Sequence, residues 1–311
     1  MRLYVSGSLA YDHIMTFPGK FADHIMPDKI HILNVCFLVD EFVERFGGTA
    51  GNIAYTLRLL GERPLILACS GHDFGPYEKY LRALNLPLEG IRHIDEEYTA
   101  GAYITTDQAD NQITGFNPGA MRHPSRFHID HSLNGGALAI VAPGNIEDMV
   151  EYPRIYRQLN LPYIFDPGQQ TTALSASQLV EAFVGAKLLV TNDYELELII
   201  QKTGLTVSDL LEYTETAVTT LGEQGVRIRE AGRTIEIPAA RTAAVVDPTG
   251  IGDAFRAGLM KGLILGKSLF EAARMGAVAA SFCVEKAGTQ EHVFDDAAFI
   301  ARYRESYGES T

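Results

Sequence analysis

Short apolar runs and longer stretches of helical period take turns along the chain. Runs at residues 3–5, 65–69, 139–142, 163–166, 187–191 and 217–220 have the length and composition of buried strands. Between them, apolar positions spaced at the helical period predict helices over 53–60, 77–84, 146–159 and 194–202. The last fifty or so residues read as three more helices, 253–265, 268–284 and 295–307. Strand–helix–strand alternation requires crossover connections, which predicts an α/β fold: a central, mostly parallel sheet flanked by helices. Ligands of such sheets gather beyond the carboxyl ends of the strands. Asp12, Asp166, Asn192 and Asp253 follow apolar runs at such places.

Two stretches break the alternation. Residues 13–46 are long and mixed, and 98–117 (YTAGAYITTDQADNQITGFN) read as two extended segments around a polar turn. Together they predict a small β-rich lid. No internal repeat, low-complexity tract or linker separates this lid from the rest, so residues 1–311 are expected to form one domain with the lid inserted in it.

Composition narrows the function. The 311 residues are 46% hydrophobic and 21% charged, enough for a large core and far from the make-up of a disordered chain. With 26 Lys and Arg against 39 Asp and Glu, the net charge is −13, which argues against a general nucleic-acid partner. A small anion held by a few local amides remains open. Cys36, Cys69 and Cys283 show no metal-ligand spacing and read as reduced thiols. There is no apolar stretch of membrane-spanning length and no convincing secretory signal, so no membrane partner and a cytoplasmic location are expected. His123, His128 and His131 lack a convergent carboxylate or cysteine pattern and read as surface histidines. Ser6 and Ser8 lack the glycine pattern of a hydrolase nucleophile.

Four segments carry candidate chemistry. In VVDPTGIGDAFRAG (245–258) an apolar run ends at Asp247, glycines follow, and Asp253 opens an amphipathic helix. Gly250 and Gly252 permit a tight turn that brings several N–H groups together at the positive end of a helix, an arrangement suited to a phosphoryl group. Asp253 beside it is placed to accept a proton from an attacking hydroxyl. The same letters also describe a plain turn with a capping aspartate. RFGGTAGNIAYTLRLLG (45–61) sets Gly47 and Gly48 before a helix with Asn52 one turn in. Glycines there admit a ligand to the backbone, and Asn52 can both donate to and accept from a hydroxyl pair. In TNDYELE (191–197), Asn192 and Glu195 share one helix face, either as hard oxygen ligands for water-bound Mg²⁺ or as a capping pair. TTLGEQG (219–225) turns the chain at Gly222 and Gly225, where a nucleotide pocket or a simple turn fits equally.

Taken together, these segments resemble the ribokinase-like carbohydrate and nucleoside kinase family (the PfkB family). The resemblance runs from about residue 3 to about residue 292, with GGTAGN near the N-terminus and DPTGIGDAF near the C-terminus. The Asn-x-x-Glu and T-x-L-G-x-x-G motifs lie between them. Within the family, GSLAYDHIMTFPGKF (7–21), FLVDEF (37–42), ITTDQADNQITGFNPGAM (104–121) and DPGQQ (166–170) are similar to bacterial-type adenosine kinases.

That resemblance implies a ribokinase-like fold and transfer of the γ-phosphoryl group of ATP to adenosine. It implies Asp253 as base, with the amides of Gly250, Ile251 and Gly252 stabilising the transferring group. Asp12, Gly48 and Asn52 would hold the ribose hydroxyls, with Ser8 nearby. Tyr103 and Phe116 would flank the adenine, while Gln169 and Gln170 form the base side. Thr220, Gly222, Gly225 and Asn192 would line the ATP site. Asn192 and Glu195 would orient the water shell of Mg²⁺. The family often uses a monovalent cation, and Asp247 with Thr249 match two of its contacts, which opens a site for K⁺. Exposed strand edges of the lid suit a homodimer. A sugar kinase, another nucleoside kinase and a non-enzymatic nucleoside sensor are the competing readings.

Overall fold

Alternating apolar residues along single strands point to both faces of the main sheet. Leu3 and Val5 pack into one core and Tyr4, between them, into the other; Ile140 and Val141 divide in the same way. A sheet buried on both faces is the parallel type. The computed structural model describes residues 1–32, 34–109, 111–129 and 136–308.

In chain order the strands are β1 (Arg2–Ser6), β2 (Ala10–Thr16), β3 (Glu41–Gly47), β4 (Leu65–Gly71), β5 (Ile91–Ile94), β6 (Ala100–Thr106) and β7 (Gln112–Asn117). They continue as β8 (Ala137–Val141), β9 (Tyr163–Phe165), β10 (Leu188–Asn192), β11 (Ala217–Thr220), β12 (Val226–Glu230) and β13 (Arg233–Ile237). The helices are α1 (Thr49–Leu59), α2 (Gly75–Ala83), α3 (Ile146–Gln158), α4 (Ala176–Phe183) and α5 (Asp193–Thr203). After them come α6 (Val207–Tyr213), α7 (Ile251–Ile264), α8 (Leu269–Cys283) and α9 (Asp296–Tyr307).

Nine strands form the main sheet in the order β13-β12-β11-β10-β9-β8-β1-β4-β5. The pairs from β5 through β11 are parallel, and β12 and β13 add an antiparallel edge. Residues of α1, α2, α7 and α8 join the core on one face; α3, α4, α5 and α6 contribute to the other. The six predicted strands and seven predicted helices are all present. Strands β5, β12 and β13 and helices α4 and α6 were not foreseen.

The four-stranded lid has the order β3-β2-β6-β7. It takes two strands from each of the stretches that interrupt the sequence pattern. Across it, Arg45, Asp12, Ala102 and Phe116 are register partners in one row. Glu44, His13, Tyr103 and Gly115 form the next row. Adjacent rows face opposite sides of a sheet. Among the described residues no helix is long and apolar enough to cross a membrane.

Candidate active site

The segments following β1, β9, β10 and β11 meet helices α1 and α7 around a cavity of about 1200 Å³. The lid's inner row, with Asp12, Ala102 and Phe116, forms one wall. Two glycines shape the floor. Gly48 precedes α1 at φ 86° and Gly250 precedes α7 at φ 78°, backbone states that side chains other than glycine's rarely adopt. No side chain caps the N-terminus of α7. The first-turn N–H groups of Ile251, Gly252 and Asp253 are therefore available to an anion in the cavity.

Asp253 stands in the third helical position of α7, since the helix begins at Ile251 rather than at Asp253. Gly250 takes the capping place, and the Asp253 carboxylate instead accepts from Asn52 Nδ2 at 2.8 Å. Burial pushes the Asp253 carboxyl up to about 7, opposed by the Asn52 hydrogen bond and by Arg256, and reinforced by Asp166 and Glu195. A carboxyl that ionises near neutrality suits general-base work.

Beneath it lies Arg256, buried and bonded to Asp166 through Nε and through Nη2, the latter at 2.8 Å from Oδ1. Its guanidinium also comes within 4.0 Å of Glu195 Oε2. Burial raises Glu195, helped by Asp166 and held back by Arg256. On the lid, burial pushes Asp12 up to about 6, while Arg45 pulls it down and Asp247 pushes it further up.

Most of the predicted site residues share this one cavity. Ser8, Gly48, Asn52, Gln169 and Gln170 line it beside the lid wall. Ser8 Oγ accepts from the Thr49 N–H, and Gln170 Nε2 donates to the Gly144 carbonyl. Thr249, Gly250, Ile251, Gly252 and Asp253 form the centre. Asn192, Glu195, Thr220, Gly222 and Gly225 lie on the remaining side.

Tyr103 is a correction. It stands in the lid's outward-facing row and stacks on His13 at 4.6 Å between ring centroids, so its ring is turned away from the cavity that Ala102 and Ile104 line. The two-residue alternation of β6 decides this. Asp247 also stays outside the lining: Oδ1 accepts from the Thr249 N–H and Oδ2 from the Gly288 N–H. The Thr249 carbonyl faces the Cys283 thiol, 3.6 Å away. Each of these oxygens accepts one hydrogen bond within the loop and keeps lone-pair capacity that fits a cation such as K⁺.

Asn192 and Glu195 form a reciprocal capping box on α5, Asn192 Oδ1 accepting from the Glu195 N–H and Glu195 Oε2 from the Asn192 N–H. Both still line the cavity, and Glu195 Oε1 has no hydrogen bond among the described residues. That donor set fits a hydrated Mg²⁺ held through water. No group of three His, Cys, Asp or Glu among the described residues could hold a metal directly. His123 approaches Glu97 at 3.6 Å, away from the cavity, and His131 lies outside the described residues.

Two polar residues and an apolar wall are not marked by the sequence reading. Arg256 had a signal: a cation one turn after Asp253, in the apolar first half of its helix. Gln290, bonded to Asn52, had none, because it lies in a loop far along the chain. The apolar wall of Ala277, Ala280 and Val245 had only helical or strand character to show.

Comparison with known proteins gives a family and a fold. A family model described as pfkB family carbohydrate kinase matches residues 10–296. A nucleoside kinase of Methanocaldococcus jannaschii is 32% identical over 255 residues, covering 80% of this chain and 82% of the relative. The solved nucleoside kinase of Burkholderia thailandensis in complex with inosine superposes with a TM-score of 0.85 at 37% identity, covering 99% of this chain and 98% of that one. The same kinase with ADP and inosine gives 0.83 at 38% identity, covering 99% and 96%.

Proposed function

This chain belongs to the pfkB family of carbohydrate kinases, whose fold is ribokinase-like, and we propose that it phosphorylates the 5′-hydroxyl of a purine nucleoside with ATP. The observation that carries the reading is one continuous cavity. It holds a carboxylate and an aromatic ring on the lid, a base candidate with a tuned carboxyl at its centre, and free helix N–H groups beside that base.

Asp12 and Asn52 hold the ribose hydroxyls, and the base lies against Phe116 near Gln169 and Gln170. This brings the 5′-oxygen to Asp253. As that oxygen forms its bond to the γ-phosphorus, its proton passes to Asp253, and the bond from the γ-phosphorus to the β-bridging oxygen breaks to release ADP. The N–H groups of Gly250, Ile251 and Gly252 stabilise the charge on the group in transit, where losing one such donor typically costs about 10²–10³ in rate. Mg²⁺, when bound, neutralises phosphate charge, and Asn192 with Glu195 orients its water shell. Thr220, Gly222 and Gly225 line the nucleotide end, with Ala277 and Ala280 as its apolar wall. The lid excludes water that would compete as acceptor.

Adenosine is the first reading for the base, from its resemblance to adenosine kinases. Inosine is the second, favoured by the inosine complex of the Burkholderia thailandensis relative. Two chains pairing through the lid, whose edge strands are β3 and β7, complete the proposal; a dimer mass in sedimentation checks it. The deciding experiment is ADP production from MgATP with adenosine, inosine, guanosine, cytidine and ribose in parallel, with Asp253→Asn as control. Turnover on adenosine or inosine that is lost in the variant supports the reading. Turnover on ribose alone transfers it to a sugar acceptor, and nucleoside binding without turnover makes the protein a sensor.

A further inference from the structure

Four side chains run in series between the two glycine-rich segments. The Tyr77 hydroxyl donates to the Gly47 carbonyl at 2.8 Å. Gln290 Nε2 lies 2.8 Å from the Tyr77 hydroxyl and 3.0 Å from Asn52 Oδ1. Asn52 Nδ2 reaches Asp253 Oδ2. Tyr77, Gln290 and Asn52 are all buried, and neither Tyr77 nor Gln290 lines the cavity.

The order of donors along this chain follows from one end. A backbone carbonyl can only accept, so the single hydroxyl hydrogen of Tyr77 is committed to Gly47. The Tyr77 oxygen is then an acceptor, and the Gln290 amide turns its NH₂ toward it. The second hydrogen of that NH₂ goes to Asn52, which must present its oxygen. The Asn52 NH₂ is thereby left facing Asp253. A donor at that point stabilises the carboxylate over the carboxylic acid. The reverse order would require Asp253 to donate, hence to be protonated, and would leave the Gly47 carbonyl without its Tyr77 partner.

We propose that Tyr77 and Gln290 are positioning residues which, anchored on the Gly47 carbonyl, fix the Asn52 amide with its donor end on Asp253 and so keep Asp253 ready to take a proton. The inference rests on Asp253 being the base. Other groups facing Asp253 are Arg256 on its own helix, Asp166 after β9, Glu195 on α5 and Cys283 on α8. None of them belongs to the series, and Tyr77→Phe or Gln290→Leu leaves all of them in place.

The test is kcat/KM for the nucleoside against pH in the wild type, Tyr77→Phe and Gln290→Leu, with thermal melting of each. Freeing the Asn52 amide is expected to move the acid limb up by about one pH unit, so the variants lose roughly tenfold at about pH 6 and recover most of it above about pH 8. Tyr77→Phe removes a single oxygen and carries the test if Gln290→Leu fails to fold. Variants that melt like the wild type and lose the same factor at every pH, or lose nothing, overturn the proposal. Wild-type turnover and its loss in Asp253→Asn report separately on the base itself, so the two readings fail in different ways.

Discussion

Arg256 and Asp166 form a buried, two-pronged ion pair beneath the glycine turn that opens α7, with Glu195 4.0 Å from the same guanidinium. Their positions in the sequence are 90 apart, so the pair ties the end of β9 to the first turns of α7.

Breaking this pair is expected to cost about 3–5 kcal/mol of stability, because either partner is left charged and desolvated. The two halves should differ in pH dependence. In Arg256→Met the stranded carboxylates can take up protons, and Glu195 and Asp253 are already pushed up by burial. Its deficit should therefore shrink as pH falls. In Asp166→Asn the guanidinium cannot be neutralised, so its deficit should persist. Urea unfolding at about pH 5 and about pH 8 distinguishes the two.

Asp253 should oppose folding in its ionised form. Its carboxyl sits near 7 in the folded chain against an ordinary 3.8, so the proton is held more tightly in the native state. The stability this lends is complete below about 4 and is lost as pH rises through about 7. Asp253→Asn, which stays neutral, should therefore gain stability over the wild type across that window, by on the order of 2–4 kcal/mol at the alkaline end, and melt correspondingly higher. A melting difference that does not change between about pH 4 and about pH 8 would count against a tuned carboxyl.

How much of this was legible beforehand depends on the kind of signal. Strands β1, β4, β8, β9, β10 and β11 are uninterrupted apolar runs because both their faces are buried, and that pattern survives in one dimension. Strands β12 and β13 alternate charged and apolar residues at the sheet edge, as in VRIRE and RTIEI, and have no such run. The glycine-rich turns were legible because a positive φ restricts the residue type. Tyr103 was misplaced because the choice between two neighbouring residues of β6 depends on which face the sheet turns to the cavity. Gln290 could not be found at all, since hydrogen bonds across 238 positions leave no local trace.

The lid carries its own anchor in Asp107. Its carboxylate accepts from the N–H groups of Phe21, Ala109 and Asn111, joining the β6–β7 turn to the segment after β2. Desolvation raises this carboxyl, but the N–H groups outweigh it and bring it down to about 2. Its contribution is present above about 3.8 and lost only as pH falls through about 2, so the anchor should hold throughout the neutral range. Asp107→Ala should leave three N–H groups without their acceptor and open the 17–40 segment to protease. Limited proteolysis at neutral pH, with nucleoside KM measured alongside, checks this; cleavage at the wild-type rate would remove Asp107 as the anchor.

In the proposed function, Phe116 is the contact that would separate a nucleoside acceptor from a bare sugar. It shares a lid row with Asp12, so three neighbouring strands, β2, β6 and β7, offer a ring for the base and a carboxylate for the ribose at a fixed spacing. The ring is half-exposed across the open cavity, so truncating it removes ligand contact more than core packing. Stacking a base on an aromatic side chain is worth about 1–3 kcal/mol, which converts to roughly 5- to 150-fold. Phe116→Ala should raise nucleoside KM within that range while kcat changes little, since the ring is equally engaged before and during transfer. Asp12→Asn should also raise KM. Burial pushes the Asp12 carboxyl up to about 6, so if it accepts the ribose hydroxyls as proposed, wild-type KM should climb below that pH as the carboxylate is lost, and the variant's KM should not. If Phe116→Ala leaves KM untouched while Asp12→Asn raises it, the cavity holds the sugar without reading the base, and the acceptor is a furanose rather than a nucleoside.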